Sequence, residues 1–293
     1  MNKIEKKFYP NYLTYPAIIL FVGFFGIPIV AGFIMSFTDW NINRLYEPKF
    51  NGIKNFIYLF EDEYFLLALK NTFKFAIITT FFIIVIGLGL ALILNTKVFG
   101  KSLFRTVFYL PAVLSLIVVG IVFTSLLKMD QGVLNQFLTA IGLGSLAKDW
   151  LGNPNTAFNS VIIMQIWKWS GFAMAIFLAG LQGIPKEYME AAEIDGANAW
   201  QRFKNIIFPL LAPAFTVVVT MNIIGGFKVF EQVYVLTGGG PGNSTQVLGT
   251  YIYKEFSKGL LGRSTAMGLV LFIIISVIGI FVNRILKKRE VNL

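Results

Sequence analysis

Long apolar runs separated by short polar stretches dominate the pattern along the chain. Six runs stand out, at 13–37, 71–94, 106–127, 156–181, 206–226 and 264–283, each 20 to 26 residues long. A helix needs about 20 apolar residues to cross the hydrocarbon of a bilayer. A backbone in hydrocarbon must satisfy its own hydrogen bonds, so each run predicts a helix. The runs contain two charges, Lys74 and Lys168, and no acid. The pattern predicts an all-α, polytopic membrane protein with six transmembrane helices, forming one transmembrane domain over residues 1–293. An even number of spans puts both termini on one side.

The polar stretches assign that side. The termini with the second and fourth loops (1–12, 95–105, 182–205, 284–293) hold 13 Lys and Arg in 57 residues, against 10 in 98 for the other three loops. Basic residues collect on the cytoplasmic side, which predicts cytoplasmic termini. Lys3, Lys6 and Lys7 before the first run imitate a secretory signal, but that run is too long for one and no small-x-small cleavage pattern follows, so it is kept as the first span.

Composition narrows the chemistry. Of the 293 residues, 56% are hydrophobic and 14% charged, with a mean hydropathy of +0.70; a soluble domain carries roughly 25% charged residues. The net charge of +10 follows from the basic cytoplasmic loops and does not call for nucleic acid. With no Cys and no His, disulfides, thiolate chemistry, His-ligated metals and imidazole catalysis are excluded. Gly100-Lys101-Ser102 imitates a phosphate loop, yet Asn95 stands where the first glycine of such a loop belongs and a span, not a strand, precedes it. Any nucleotide is therefore expected on another chain.

Loop 182–205 differs from the other cytoplasmic segments, carrying Glu187, Glu190, Glu193 and Asp195 against Lys186, Arg202 and Lys204. Pro185 suits a first helical position, Glu187 complements the dipole of a first turn, and Gly196 suits the left-handed residue that closes a helix. Asn198 followed by Gln201 has the spacing of a capping box for a second helix, to about residue 205. Ala191 and Ala192 allow close approach of another surface, and Tyr188, Met189 and Trp200 offer large anchors. These features fit a protein-docking elbow or a helix pair resting on lipid headgroups.

Glu190-Ala191-Ala192, then Gly196 after three intervening residues, and Ile206-Ile207-Phe208-Pro209 after nine more resemble the EAA loop of binding-protein-dependent ABC importer permeases. Phe208 replaces the leucine of that pattern. The string 184–211 and Leu236-Thr-Gly-Gly-Gly-Pro-Gly242 resemble the carbohydrate-uptake branch, the maltose- and glycerol-phosphate-type permeases. The resemblance implies a multi-pass subunit of a prokaryotic cell membrane that supplies half of a carbohydrate pathway. Its implied partners are a second homologous permease, two ATPase subunits and an extracytoplasmic solute-binding protein. No cofactor is expected in this chain, since the ATPase partner would bind ATP and Mg, and no metal site or catalytic residue is expected either. Glu190, Ala191, Ala192, Asp195, Gly196, Trp200, Ile206 and Pro209 are the expected coupling residues, with Glu190 facing basic groups on the ATPase and Gly196 holding the bend.

Polar groups within spans mark pathways or partners. Gln165, Trp167, Lys168 and Trp169 lie in the fourth span, where indoles stack on sugars and Lys168 and Gln165 donate to hydroxyls. The same cluster also fits an aromatic belt with a snorkelling lysine. Asn222 in the fifth span suits a pathway or an interhelical hydrogen bond. Lys228 and Glu231 have the spacing of an i,i+3 pair. Gly238, Gly239, Gly240 and Pro241 form a turn-rich outer loop, which the resemblance implies faces the binding protein or the pathway. An importer of the same class for glycerol phosphate, modified sugars or peptides is the alternative. A self-sufficient secondary transporter would show internal repeats or half-helices, and neither is found.

Overall fold

The computed structural model describes residues 11–96, 98–288 and 290. The basic residues Lys3, Lys6, Lys7, Lys97 and Arg289 used above to orient the chain lie outside the described residues. Among the described residues there is no strand, only an isolated bridge between Thr38 and Phe50. In chain order the helices are α1 (Tyr12–Met35), α2 (Lys54–Glu61), α3 (Glu63–Asn95), α4 (Lys101–Val113), α5 (Leu116–Leu126), α6 (Val133–Ala140), α7 (Pro154–Gln182), α8 (Lys186–Ile194), α9 (Ala199–Leu210), α10 (Ala212–Phe227), α11 (Glu231–Leu236), α12 (Leu248–Ser257) and α13 (Leu261–Lys287).

Helices α1, α3, α7 and α13 are each long and apolar enough to cross a membrane, and the number rises to six if the bent pairs α4–α5 and α9–α10 are one span each. Two of the predicted single helices are therefore broken. The 106–127 run turns by 99° between α4 and α5, and the 206–226 run lies across α9 and α10, which meet at 67°. Hydrophobicity counts how much apolar chain is present but does not register a bend inside it. The 71–94 run is the latter part of a longer helix that starts at Glu63.

The chain divides into two compact units, one running to Asp62 and including Ile252–Phe272, the other made of Glu63–Tyr251 and the segment from Ile273. In the first unit, α1 has no buried residue in its α-helical turns and contains a π-helical turn at Val22–Gly26. The segment after α1 is held by side chains. Asn55 donates to Ser36 O and Thr38 O, each at 2.8 Å, and Arg263 lies over the Tyr58 ring. Asp39 accepts from the Lys49 amide at 2.7 Å and pairs with Arg44. The Lys49 amide, then the Arg44 guanidinium, hold its carboxyl below the usual 3.8.

The second unit is built on α3, α7 and α10. Its core contains Ile83, Ala91, Ala173, Met174, Phe177, Leu211 and Val218 in one cluster, and Phe75, Val161, Met164, Val229 and Val233 in another. Close helix approach comes from small residues. A Cβ on Gly171 of α7 would lie 1.7 Å from the Phe108 carbonyl of α4, so only glycine lets these backbones meet.

Candidate functional site

Three regions carry the candidate residues: the α8–α9 elbow, the middle of α7 with α10, and the loop at 237–246. In the elbow, α8 begins after Pro185, which stands at the N-cap rather than inside the helix as predicted. The helix ends at Gly196, which adopts φ +73°, a conformation that costs an L-residue roughly 1–2 kcal/mol. Asn198 and Gln201 form the predicted capping box, with Gln201 N donating to Asn198 Oδ1 at 2.9 Å and Asn198 N to Gln201 Oε1 at 2.8 Å. Arg202 of α9 pairs with Glu193 of α8, closing the elbow. Glu190, Ala191 and Asp195 are exposed, as are Tyr188, Ile194 (86%) and Trp200 (68%). Ala192 departs from the expectation of an outward contact, being buried in the chain itself.

Beyond the elbow a π-helical turn, Phe203–Ile207, contains Ile206 and leads to Pro209 and the break before α10. Aromatic rings run through this joint. Trp200 stacks on Phe203 with centroids 5.7 Å apart, Phe203 meets Phe208 at 6.2 Å, Phe208 meets Phe215 at 5.0 Å, and Phe215 meets the fully buried Phe177 of α7 at 4.8 Å. Phe208, the departure from the family pattern, is the ring that joins the elbow to α10. This chain of rings was not foreseen, because its members are spread over three helices.

The pathway candidates separate. Trp167 is half exposed, packs on Phe123 at 5.3 Å, and lines a groove of about 1050 Å³ with Ile78, Phe82, Leu110 and Pro111. Gln165 is buried and accepts a hydrogen bond from Gln232 of α11 at 2.9 Å. Lys168 is buried too, and its Nζ donates to the carbonyls of Pro111, Ala112 and Leu114. An ammonium has three N–H donors, so in this conformation none is left for a sugar hydroxyl. Burial sets it on the nearest free acceptors, which are the carbonyls at a helix break.

Asn222 donates to Val218 O one turn back. Trp169 meets Phe172 edge to face, and its Nε1 is buried without a partner among the described residues. The hydroxyls of Thr80 on α3 and Thr220 on α10 are likewise unpartnered. Sequence reasoning passed over both, since threonines in apolar helices commonly bond the carbonyl four residues back, as Thr72, Thr79 and Thr216 do here. Lys228 and Glu231 form no ion pair among the described residues, because they share no helix: α10 ends at Phe227 and α11 begins at Glu231.

The 237–246 loop is tightly built. Thr245 Oγ1 lies 2.7 Å from Gly240 O and 2.7 Å from Thr237 Oγ1. Gly238 and Gly239 have positive φ, and a Cβ on Gly239 would lie 1.9 Å from the Gln246 amide oxygen. Pro241 follows Gly240 through a cis bond. Asn71 of α3 secures the far end of the loop, donating to Ser244 O and Gln246 O at 3.0 and 2.9 Å.

Residues 83–291 match the family described as binding-protein-dependent transport system inner membrane component. The chain is 36% identical to the probable starch degradation products transport system permease protein AmyD of Thermoanaerobacterium thermosulfurigenes, covering 99% of both. It is 35% identical to the multiple sugar-binding transport system permease protein MsmF of Streptococcus mutans, again over 99% of both. The arabinooligosaccharides transport system permease protein AraP of Bacillus subtilis is 36% identical, over 94% of this chain and 88% of that one. The fold matches a crystal structure of a bacterial ABC transporter involved in import of the acidic polysaccharide alginate, with a TM-score of 0.83 and 28% identity over 98% of this chain and 99% of that one. The chain thus belongs to the binding-protein-dependent transport system inner membrane components, the multi-pass permease subunits of prokaryotic ABC importers, and is a transport component, not an enzyme.

Proposed function

We propose that the protein is a permease of a carbohydrate ABC importer, taking up a sugar or oligosaccharide. The observation that carries this reading is likeness over nearly the whole length to permeases of starch-product, arabinooligosaccharide and multiple-sugar systems. The chain forms one transmembrane domain with six spans and cytoplasmic termini, and with a second homologous permease it encloses the pathway. A solute-binding protein delivers the sugar from outside, as in the neighbouring alginate transporter solved with its oligosaccharide-bound periplasmic protein. Two ATPase subunits hold ATP and Mg and drive the cycle.

The α8–α9 elbow is the coupling element in this reading. Glu190, Ala191 and Asp195 face the ATPase with Ile194 and Trp200 as anchors, while Ala192 packs inward. Gly196 fixes the bend, and Ile206 and Pro209 root it at the membrane. The positive φ of Gly196, the capping box and the Arg202–Glu193 pair support it, because an internally braced elbow transmits displacement that a slack loop absorbs. In the pathway, Trp167 and Trp169 offer indole faces to sugar rings. Gln165, Asn222, Trp169 Nε1 and the Thr80 and Thr220 hydroxyls offer neutral hydrogen-bonding groups. The 237–246 loop, with Gly238 to Pro241, forms the face toward the binding protein.

Gentle extraction of the tagged protein from native membranes tests the assembly, with mass spectrometry of what co-purifies. The expected result is a P-loop ATPase, a second permease and a sugar-binding protein with the wild type, and loss of the ATPase with a well-folded Gly196→Val variant. A well-folded wild type that emerges without any ATPase overturns the reading. A binding protein that retains glycerol phosphate or a peptide in place of a sugar keeps the importer and changes the solute.

A further inference from the structure

The break between α4 and α5 poses a hydrogen-bonding problem whose solution identifies a positioning residue. Leu114 and Ser115 are extended, with ψ of 144° and 136°. In an unbroken helix the carbonyls of residues 111–114 accept from the amides of residues 115–118. The break removes those donors, and hydrocarbon supplies no water in their place. Lys168, 2% exposed, reaches across from α7 and serves three of the four carbonyls, at 2.9 Å to Pro111, 3.4 Å to Ala112 and 2.6 Å to Leu114. Its positive charge sits at the C-terminal end of α4, where the helix dipole favours a cation. One turn further along α7, Gly171 lets the α4 backbone press close, so the two helices are pinned at adjacent points. Past the break, α5 seats on α11, where a Cβ on Gly120 would lie 2.5 Å from Val235 Cγ1. Helix α11 runs directly into the 237–246 loop.

We infer that Lys168 is a positioning residue for transport: its ammonium holds the α4–α5 bend and thereby the seat of α5 on α11, and it does not contact the transported solute. Pro111, inside α4, removes one amide and kinks the helix, but it cannot supply donors to the carbonyls beyond it. Removal of the ammonium leaves the bent state with three unpaired carbonyls, whereas a straighter helix satisfies them internally. The inference does not depend on which solute is carried.

The absence of cysteine permits a direct test. Cysteines replacing Leu103 on α4 and Ser125 on α5, spin-labelled in the full chain within its assembled transporter, report the bend. At 1.5 Å per residue their backbone separation is about 33 Å in a straight helix and roughly 21 Å when the arms meet at the observed angle. A second pair, at Phe81 on α3 and Ile163 on α7, serves as a control for the surrounding fold. The expected result for Lys168→Met is a shift of at least ~5 Å toward the straight value, an unchanged control distance, and a fall in solute uptake of tenfold or more. Lys168→Gln, one bond shorter and with two N–H donors, gives an intermediate shift and an intermediate loss. An unchanged Leu103–Ser125 distance in Lys168→Met overturns the inference; if that variant does not assemble, an unchanged distance in Lys168→Gln does so. Loss of uptake at the wild-type distance also overturns it and returns Lys168 to solute contact. Normal uptake at the longer distance removes its role in transport.

Discussion

The two bent helix pairs solve the same problem by different means. At the α9–α10 joint the signals are local. Pro209 and Pro213 stand in the first turns of the helical segments on either side of the joint, a π-helical turn precedes them, and hydrogen bonds from Leu211 N to Ile207 O and from Phe215 N to Leu211 O carry the backbone through the turn. At the α4–α5 joint two extended residues interrupt the ladder, and the carbonyls left behind are satisfied by a side chain more than 50 residues away in sequence. A locally braced bend can move as a unit with whatever grips it, which suits an elbow that couples to a partner. A bend held from another helix is tied to that helix, which suits a fixed wall.

That contrast can be broken most severely at Gly171. Gly171→Leu places side-chain atoms against the Phe108 carbonyl, where even a Cβ lies 1.7 Å away. The expected cost is at or above the 1–3 kcal/mol typical of overpacking, read as loss of monodisperse protein on size-exclusion chromatography and a lowered Tm. Gly196→Val should behave in the opposite sense, costing roughly 1–2 kcal/mol locally and leaving the fold intact. Its deficit should be in ATPase binding and in transport-coupled ATP hydrolysis, measured in the assembled complex.

Smaller effects sharpen the picture of the elbow. Phe208→Ala removes the ring between Phe203 and Phe215. The residue is half exposed, so the stability loss should stay near 1–2 kcal/mol, well below the 3–5 kcal/mol of a fully buried Phe. Phe208→Leu, which restores the family pattern, should retain most uptake. Uptake equal to wild type in Phe208→Ala would show that the ring chain transmits nothing. Arg202→Ala removes a partly exposed ion pair worth about 0.2–1 kcal/mol, so wild type and variant should converge in coupled ATPase activity at high salt.

The smallest effect is expected at Asp39, in the segment after α1. Its carboxyl is held below the usual 3.8 by the Lys49 amide, so the folded state gains from the ionised form above that pH and loses the gain as pH falls through the lowered value. A spin label replacing the exposed Tyr46 should be more mobile in Asp39→Asn than in wild type at neutral pH, and the two should match in strong acid.

What the sequence revealed depended on how far the relevant signal reached along the chain. Gly196 with φ +73° and the reciprocal Asn198–Gln201 cap were legible because each is decided within four residues. The Pro185 boundary was displaced by one position, since proline suits either side of a helix start. Lys168 was recognised as exceptional from its place in an apolar run, but its acceptors within the chain were not legible, because they exist only once α4 breaks against α7. Thr80 and Thr220 carried no signal, as nothing local distinguishes them from the threonines that bond their own helix.

The sequence by itself determined that this is a helical membrane protein with about six apolar runs, and that one polar loop folds as a capped two-helix elbow. Hydrophobicity and short-range capping depend on composition and near neighbours, which any solvent-exposed or lipid-embedded chain displays directly. Tertiary structure alone decided where the runs break, which way Ala192 faces, and what the buried lysine holds. Those outcomes rest on whether an unpaired backbone group finds a donor on another helix, and chain order alone does not specify that pairing.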